Sequence, residues 1–228
     1  MVVQDDSREN ELIKLFKLSK PLNSSRIDTD AILEFNGKTL EFELKSTSTG
    51  SVTTVRDFGY DHILKWKNKH WLIGVYDSKG QKLQYSVYGS PSMMKPWIDE
   101  KEQYILPDYR LSDLAPSLIN ENIMDKILGK KNTYSLDDAI RIQKKQYLIS
   151  EYRNKMDLKD GYSRKRMLEI LKQRCAYLIK RGSTLNNPHI PRSFYSEWEK
   201  ITDHHSKRLR QLVGQFCDNA SSIEQARL

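Results

Sequence analysis

The dipeptide Asn36-Gly37 constrains the fold more than any other feature, because it lies between two runs of alternating polar and apolar residues, "TDAILEF" and "TLEFELK". Asn-Gly in this setting is the strongest short-range signal for a type I′ hairpin turn, and the turn sets the register of the strands it joins. Phe35 must then face Lys38, and each step away from the loop adds one residue on each strand. We therefore predict a β-hairpin in which Asp30 lies opposite Glu43.

The alternation gives this hairpin two contrasting faces. One face is apolar and is expected to lie on a core; its members are Ala31, Leu33, Phe35, Leu40, Phe42 and Leu44. The other face is charged, and its members are Asp28, Asp30, Glu34, Glu41, Glu43 and Lys45, with Asp28 expected opposite Lys45. Directly opposed side chains have Cβ atoms about 4.5–5.5 Å apart, and like charges at that spacing destabilise a sheet.

The opposed carboxylates of Asp30 and Glu43 therefore need compensation. A divalent cation would supply it, since Mg²⁺ is usually bound by one or two carboxylates together with waters and phosphate oxygens. Lys45 lies two residues beyond Glu43, so its ammonium would project from the same face and could position or deprotonate a water. The alternative is a solvated polar face on which the charges repel each other only weakly.

Composition indicates a folded protein with a basic surface. The 228 residues are 38% hydrophobic and 30% charged, which argues against wholesale disorder. At this length, one domain with an elaboration is expected. The net charge of +8 favours a polyanionic partner such as nucleic acid, although many basic proteins bind none.

Several other classes of site find no support in the sequence. Cys175 and Cys217 are too few and too far apart for a disulfide framework or a zinc cluster, and a reducing cytoplasm is the expected location. The histidines lack the i, i+4 spacing of helical zinc ligands. The opening residues "MVVQDDSREN" do not resemble a secretion signal, and the longest strongly apolar stretch, "WLIGVY", is too short to cross a bilayer.

The order of predicted elements indicates an α/β (α+β) protein with a mixed central sheet and flanking helices. A helix over 7–19, capped by Ser7, comes before the hairpin, and strands at "WLIGVY" and "KLQYSVYG" follow a polar loop. Past Pro96 the chain is helical and charged. We predict a helix that is capped by Ser135 and runs through "AIRIQKKQYLISEYRNK", and another that begins near Ser163. The basic face of the second helix is interpreted either as solvated surface or as a phosphate contact.

This pattern predicts three segments. Residues 1–94 form a core that contains the first helix, the hairpin and the further strands, and residues 95–181 form a helical insertion or subdomain. Residues 182–228 form a proline-punctuated loop and a C-terminal helix that belong to the same domain as the core.

Three ordered stretches carry a resemblance to a known enzyme family. The hairpin has an acid on one strand and Glu-x-Lys on the next, in "DA" and "ELKS", and the stretches "HILKWKNKHWLIGVY" and "NNPHIP" follow in the same order. Together they resemble the PD-(D/E)xK nuclease superfamily, and within it the PvuII-like type II restriction endonucleases. Thr29 stands where the family motif often has Pro, and the helical segment 95–181 has no counterpart in the resemblance.

The resemblance implies a Mg²⁺-dependent enzyme that cuts double-stranded DNA at a short palindrome as a homodimer, with a cognate DNA methyltransferase in the same system. It implies that Asp30 and Glu43 are metal ligands, that the Leu44 carbonyl completes the metal site, and that Lys45 orients and activates the attacking water. We also consider Glu11, on the first helix, as an outer-shell acid that would hold a second metal or a metal-bound water; a solvated helix charge is the alternative.

The same resemblance implies that residues 1–94 are the catalytic core and that the loop in residues 182–228 contacts DNA. Asn186 and Asn187 would reach bases or phosphates, since an asparagine amide matches adenine N6 and N7 in the major groove, although Asn before Pro188 also caps turns. His189 is expected to face the DNA. The loop from Thr53 to His62 lies where these relatives carry groove-reading histidines, and here Arg56, Asp57 and Tyr60 are the nearest substitutes, so a different target site is expected.

Two other functions remain compatible with these residues. The same core would serve a different DNA nuclease, such as a junction resolvase or a repair nickase. A catalytically silent DNA-binding module is the other alternative, and the intact set of Asp30, Glu43 and Lys45 argues against it.

Overall fold

The computed structural model describes residues 2–21 and 29–225, and it divides the chain into two compact units. The first unit comprises Met1–Glu102 with Leu185–Leu228, and the second comprises Gln103–Thr184. The sequence-based division after residues 94 and 181 places both boundaries a few residues earlier. The first difference arises because one continuous helix, α3 (Pro91–Leu114), passes through the boundary.

The first unit contains the sheet and most of its flanking elements. Before α3 the elements are α1 (Val2–Phe16), β1 (Ala31–Phe35), β2 (Lys38–Thr47), β3 (Val52–Thr53), α2 (Tyr60–Trp66), β4 (His70–Tyr76) and β5 (Leu83–Gly89). After the second unit, the chain returns with β8 (His189–Ile190), α8 (Arg192–Tyr195), β9 (Lys200–Ile201) and α9 (His205–Gln225). Within the described ranges, no helix combines the length and apolar character needed to cross a membrane.

Five strands form the central sheet in the order β1-β2-β4-β5-β9. Strands β2 and β4 are parallel, whereas the other neighbours pair antiparallel. A parallel pair cannot be joined by a tight hairpin, so the chain between β2 and β4 makes a crossover that contains α2. The predicted α+β class with a mixed sheet is thus confirmed.

The hairpin has the predicted turn and register. Asn36 and Gly37 have φ angles of 49° and 75°, the left-handed values that a type I′ turn requires at both central positions. Strand pairing runs from Phe35↔Lys38 to Ala31↔Phe42. Counted away from the turn, the last pair of the ladder is Ala31↔Phe42, so Asp30 and Glu43, one step further, are not a main-chain pair as predicted. The predicted partner of Lys45, Asp28, lies outside the described residues.

The apolar face of the hairpin lies on the core of the first unit. Ala31, Leu33, Phe42 and Leu44 are buried, while Phe35 and Leu40 are half-buried against the same cluster. The opposing side chains come from α1 and α9, and they include Leu12, Phe16, Leu209 and Val213. Burying a large aliphatic or aromatic side chain contributes roughly 1.5–3 kcal/mol, so this contact anchors the hairpin to both terminal helices.

Helix α1 differs from its prediction at both ends. It begins at Val2, so Ser7 lies inside the helix and the predicted cap there is wrong. No Gly or Pro lies between Val2 and Ser7 to stop the helix from extending towards the N-terminus. The helix ends at Phe16, and Lys17 follows it with a left-handed φ of 51°.

The second unit has a core of its own. After α3 it contains a 3-10 helix (Ala115–Leu118), α4 (Glu121–Leu128), β6 (Thr133–Tyr134), α5 (Leu136–Gln143), α6 (Ile149–Asn154), β7 (Tyr162–Ser163) and α7 (Arg164–Gly182). The predicted cap at Ser135 is confirmed, since its hydroxyl accepts the Asp138 N–H, and the helix predicted to begin near Ser163 is capped by Ser163, which accepts the Arg166 N–H. The long helix predicted after Ser135 is broken, because Lys144 and Lys145 adopt left-handed φ angles of 53° and 60°.

Much of the basic face of α7 is used inside the second unit. Arg164 contacts Asp125 at 2.8 Å and Glu121 at 3.0 Å. Lys180 lies 3.7 Å from Asp113, and Arg174 donates to Gln146 at 2.7 Å. These contacts engage several of the α7 charges within the second unit, which favours the interpretation of this face as surface over a phosphate contact.

The hairpin turn yields the first prediction. Gly37→Ala places a Cβ on a residue with φ of 75°, and although no atom lies within 4 Å of that Cβ, the left-handed conformation itself costs an L residue about 1–2 kcal/mol. We expect the free energy of unfolding to fall by about that amount in chemical denaturation.

Gly214→Ala is the matched control in the same unit. Gly214 lies inside α9, and its added Cβ would make an ordinary contact with Phe35 at 3.6 Å. Alanine in a helix is more stable than glycine by about 0.5–1 kcal/mol, so this variant should gain stability. Equal effects of the two substitutions would contradict the type I′ assignment.

Candidate active site at the base of the hairpin

The end of the β1–β2 ladder directs the Asp30 carboxylate at the backbone of the neighbouring strand. Asp30 Oδ2 accepts a hydrogen bond from the Leu44 N–H at 2.7 Å. In an extended strand, the N–H and C=O groups of one residue point to the same side, so the Leu44 carbonyl is directed towards Asp30 as well. The carboxylate of Asp30 and the carbonyl of Leu44 therefore lie along one edge of β2.

Glu43 is a buried carboxylate held by three partners. Its relative exposure is 3%. Oε1 accepts from the Lys45 ammonium at 2.8 Å, whereas Oε2 accepts from the Trp66 indole N–H at 2.9 Å and lies 3.5 Å from the Lys69 ammonium. The predicted charged face of the hairpin is thus exposed near the turn and covered at its base.

An aromatic cluster holds Trp66 in place. Trp66 is the last residue of α2, and its ring lies 4.8 Å from that of Trp71 and 5.1 Å from that of Phe58, measured between centroids. Trp97 packs against both Trp66 and Phe58, at 6.3 Å and 5.9 Å. The Lys45 ammonium lies 6.0 Å from the Trp66 ring centroid, so this ring borders the site on one side.

The local charges push the pKa values of the two acids apart. Burial raises the pKa of Asp30, and the charge of Glu43 raises it further. Burial alone would raise the pKa of Glu43, but the ammonium groups of Lys45 and Lys69 outweigh it and hold that pKa below its ordinary value. Burial opposes the charge of Lys45, yet Glu43 and Asp30 raise its pKa overall.

A cavity of about 460 Å³ opens between the hairpin base and α1. It is lined by Glu9, Leu12, Asp30, Leu44, Lys45, Ser46, Thr53 and Thr54. Burial and the nearby Asp30 raise the pKa of Glu9. The acid of α1 that lines this cavity is Glu9, whereas Glu11 accepts from the Tyr76 hydroxyl at 2.8 Å.

Two sequence-distant segments meet beside this cavity. Strands β3 and β8 pair antiparallel, with Thr53 opposite His189 and Val52 opposite Ile190. The Thr54 hydroxyl donates to the Pro188 carbonyl at 2.6 Å. We call the β3–β8 pair and the residues that flank it the ribbon; since Thr53 and Thr54 line the cavity, the ribbon borders it.

The ribbon carries the residues predicted to contact DNA in different environments. Asn186 and His189 are exposed, whereas Asn187 is half-buried and has a left-handed φ of 46°. On the other segment, Arg56 is exposed, Asp57 is half-buried with φ of 56°, and Tyr60 is the first residue of α2. The conformation of Asn187 fits the turn role, since asparagine tolerates left-handed backbone better than most residues.

Three residues of this site were missing from the sequence prediction. Trp66 and Lys69 lie in "HILKWKNKHWLIGVY", where the pattern indicates only the end of a helix followed by a strand. The one available signal for Glu9 is its position three residues before the buried Leu12 on the same helix.

The donor set has the hard oxygen character that magnesium prefers. In residues 2–21 and 29–225, no group of three or more His, Cys, Asp or Glu side chains is arranged to hold a metal. The site offers two carboxylates and one main-chain carbonyl. Because Mg²⁺ keeps several waters and takes one or two protein carboxylates, the residues present fit such an ion.

No protein-family model matches this sequence, and no curated protein matches it.

The shifted pKa of Asp30 yields the second prediction. When the pKa of a carboxyl group is higher in the folded than in the unfolded protein, the free energy of unfolding falls as the pH rises from the unfolded-state pKa through the folded-state pKa. Asp30→Asn should therefore stabilise the protein at pH 7.5, by more than the roughly 0.5 kcal/mol typical of surface changes, while both proteins have similar stability below pH 3.5 or so.

The measurement is chemical denaturation of both proteins across that pH range. Glu34→Gln is the control, because Glu34 lies on the same face of β1 but is exposed. It should show no comparable pH-dependent gain. A neutral or destabilising Asp30→Asn at pH 7.5 would contradict the raised pKa.

Proposed function

We propose that this protein is a Mg²⁺-dependent nuclease that hydrolyses phosphodiester bonds of double-stranded DNA at specific sites, in the manner of a type II restriction endonuclease. The observation that carries the proposal is the meeting of Asp30, the Leu44 edge and Lys45 around one cavity, with Glu43 held directly behind them. The ribbon at the border of that cavity contains the segment "NNPHIP".

Each residue at the hairpin base has a role in this proposal. Asp30, Glu43 and the Leu44 carbonyl would hold Mg²⁺, which when bound acidifies water and neutralises charge on the phosphate. The Lys45 ammonium, which donates to Glu43 Oε1 in the structure, would instead donate a hydrogen bond to the attacking water. Because Glu43 and Asp30 raise its pKa, Lys45 is suited to donate a hydrogen bond and to stabilise developing negative charge, rather than to remove a proton.

Glu9 takes the place proposed for Glu11 as the outer acid. It lines the same cavity as Asp30, and the charge of Asp30 raises the pKa of Glu9. Glu11 is engaged with Tyr76. In this proposal Glu9 receives a hydrogen bond from water at the rim of the cavity.

The proposed partners follow from the charge and from the reaction. A net charge of +8 suits a polyanion, and double-stranded DNA would lie along the ribbon with Arg56, Asn186 and His189 exposed to it. A two-fold axis relates the two strands of a palindrome, and a two-fold dimer presents one site to each strand, so a homodimer is proposed. A cognate DNA methyltransferase would protect the host DNA, and a reducing cytoplasm suits Cys175 and Cys217, whose thiols are not joined in a disulfide.

The third prediction tests the reaction. Purified protein with plasmid DNA and Mg²⁺ should yield discrete fragments, and Lys45→Ala should lower the cleavage rate by about 10²–10³-fold because a charge-stabilising donor is lost. Asp30→Asn should abolish cleavage and leave DNA binding intact or tighter, since it removes a metal ligand and a negative charge. Ca²⁺ should support binding without efficient cutting.

Lys38→Ala is the matched control, because Lys38 lies on the same strand but is exposed at the hairpin turn. It should cleave like the wild type. Structure-dependent nicks in place of discrete fragments would indicate a resolvase or nickase, and DNA binding without any cleavage would indicate a silent binding module.

The fourth prediction separates the two asparagines. Asn186→Ala should cost about 1–3 kcal/mol of discrimination at one base position, with thermal stability unchanged, because the side chain is exposed. Asn187→Gly removes the amide and keeps the left-handed φ of 46° accessible, whereas Asn187→Ala adds strain. Cleavage of a library of related sites measures the discrimination.

A base-reading role for Asn187 predicts relaxed specificity in both Asn187 variants. A turn role predicts wild-type specificity in Asn187→Gly and lowered thermal stability in Asn187→Ala alone.

A further inference from the structure

The reaction proposed above leaves one buried cation without a role. The Lys69 side chain is 1% exposed, and its ammonium lies 3.5 Å from Glu43 Oε2. Removing a charge from water costs several kcal/mol per ion unless it is paired. Lys45 already pairs with the other oxygen of Glu43, so Lys69 is a second ammonium on one carboxylate.

The geometry of α2 directs Lys69 and Trp66 at the same oxygen. The Lys69 N–H donates to the Trp66 carbonyl at 3.2 Å, which places the two side chains one helical turn apart at the end of α2. The Trp66 indole donates to Oε2 at 2.9 Å, and its ring is held by Phe58, Trp71 and Trp97. Oε2 therefore faces the protein interior.

The other oxygen of Glu43 is held by a residue that lines the cavity. Glu43 Oε1 bonds to Lys45, and Lys45 lines the cavity. Lys45 is 16% exposed at its side chain, compared with 1% for Lys69, so it is the more accessible of the two lysines. The two oxygens of Glu43 thus have unequal surroundings.

We propose that Trp66 and Lys69 are positioning residues that clamp Glu43 Oε2 in the protein, so that Oε1 is the oxygen presented to the divalent cation. Lys69 keeps one positive charge on Glu43 when Lys45 turns from Oε1 to the attacking water. Trp66 fixes the plane of the carboxylate through a donor that carries no charge. This inference rests on the proposed function.

The clamp predicts weaker metal binding in two conservative variants. Trp66→Phe removes the N–H donor and keeps an aromatic ring in the cluster. Lys69→Met removes the ammonium and keeps a stem of similar length. Loss of a group that orients a metal ligand typically weakens metal affinity by about 10–100-fold, and we expect a weakening of that size in both.

The test measures metal binding and reaction separately. Mn²⁺ is titrated calorimetrically into wild type, Trp66→Phe, Lys69→Met and Lys67→Met, and plasmid cleavage is followed over a range of Mg²⁺ concentrations. The control residue Lys67 lies two positions from Lys69, pairs with Glu102 at 2.8 Å and is 38% exposed. Lys67→Met should have wild-type affinity for Mn²⁺.

Support requires a weaker Mn²⁺ affinity in both clamp variants and a higher half-saturating Mg²⁺ concentration, with the cleavage rate largely restored at saturating Mg²⁺. A purely structural role would lower thermal stability or the saturated rate and leave both metal constants unchanged, which would overturn the clamp. If the wild type cleaves and binds Mn²⁺ but the variants bind it equally well, the clamp fails and the nuclease stands. If the wild type neither binds Mn²⁺ nor cleaves, the proposed function fails and the clamp with it.

Discussion

The burial of the Glu43 carboxylate is the constraint on which the rest of the site depends. A buried charge is tolerated only with hydrogen bonds and opposite charges around it. For Glu43 they come from three places along the chain: Lys45 on the same strand, Trp66 at the end of α2, and Lys69 just before β4. The crossover between the parallel strands β2 and β4 must therefore bring the start of β4 beside Glu43, and Glu43 is paired with Trp71 in the sheet.

The aromatic cluster around Trp66 connects this carboxylate with the ribbon. Trp97 packs on Trp66, and its indole N–H donates to the His189 carbonyl at 3.1 Å. Phe58, in the same cluster, exchanges backbone hydrogen bonds of 2.8 Å with Leu185. One packed aromatic cluster thus contacts both the group that would hold a metal and the segment that would contact DNA, and such support is what a preorganised site requires.

The two acids at the hairpin base have opposite electrostatic surroundings. Glu43 has two lysines and a lowered pKa, while Asp30 has a backbone N–H, a neighbouring carboxylate and a raised pKa. Neighbouring acids whose pKa values are shifted in opposite directions are typical of functional sites, and structural ion-pair networks also shift pKa values. A raised pKa means that the charged Asp30 lowers the free energy of unfolding at neutral pH, so the effect of Asp30→Asn on folding is informative beside its effect on cleavage.

The sequence by itself determined the features that depend on near neighbours. The type I′ turn at Asn36-Gly37, the register down to Ala31, the buried face of the hairpin and the caps at Ser135 and Ser163 follow from backbone sterics and from two-residue periodicity. Only the tertiary structure decided that Asp30 leaves the ladder to accept the Leu44 N–H, and that Glu9 rather than Glu11 lines the cavity. It also decided the partners of Glu43 Oε2 and the pairing of Thr53 with His189, because such contacts join residues far apart in the chain and depend on how buried polar groups are satisfied once the core has formed.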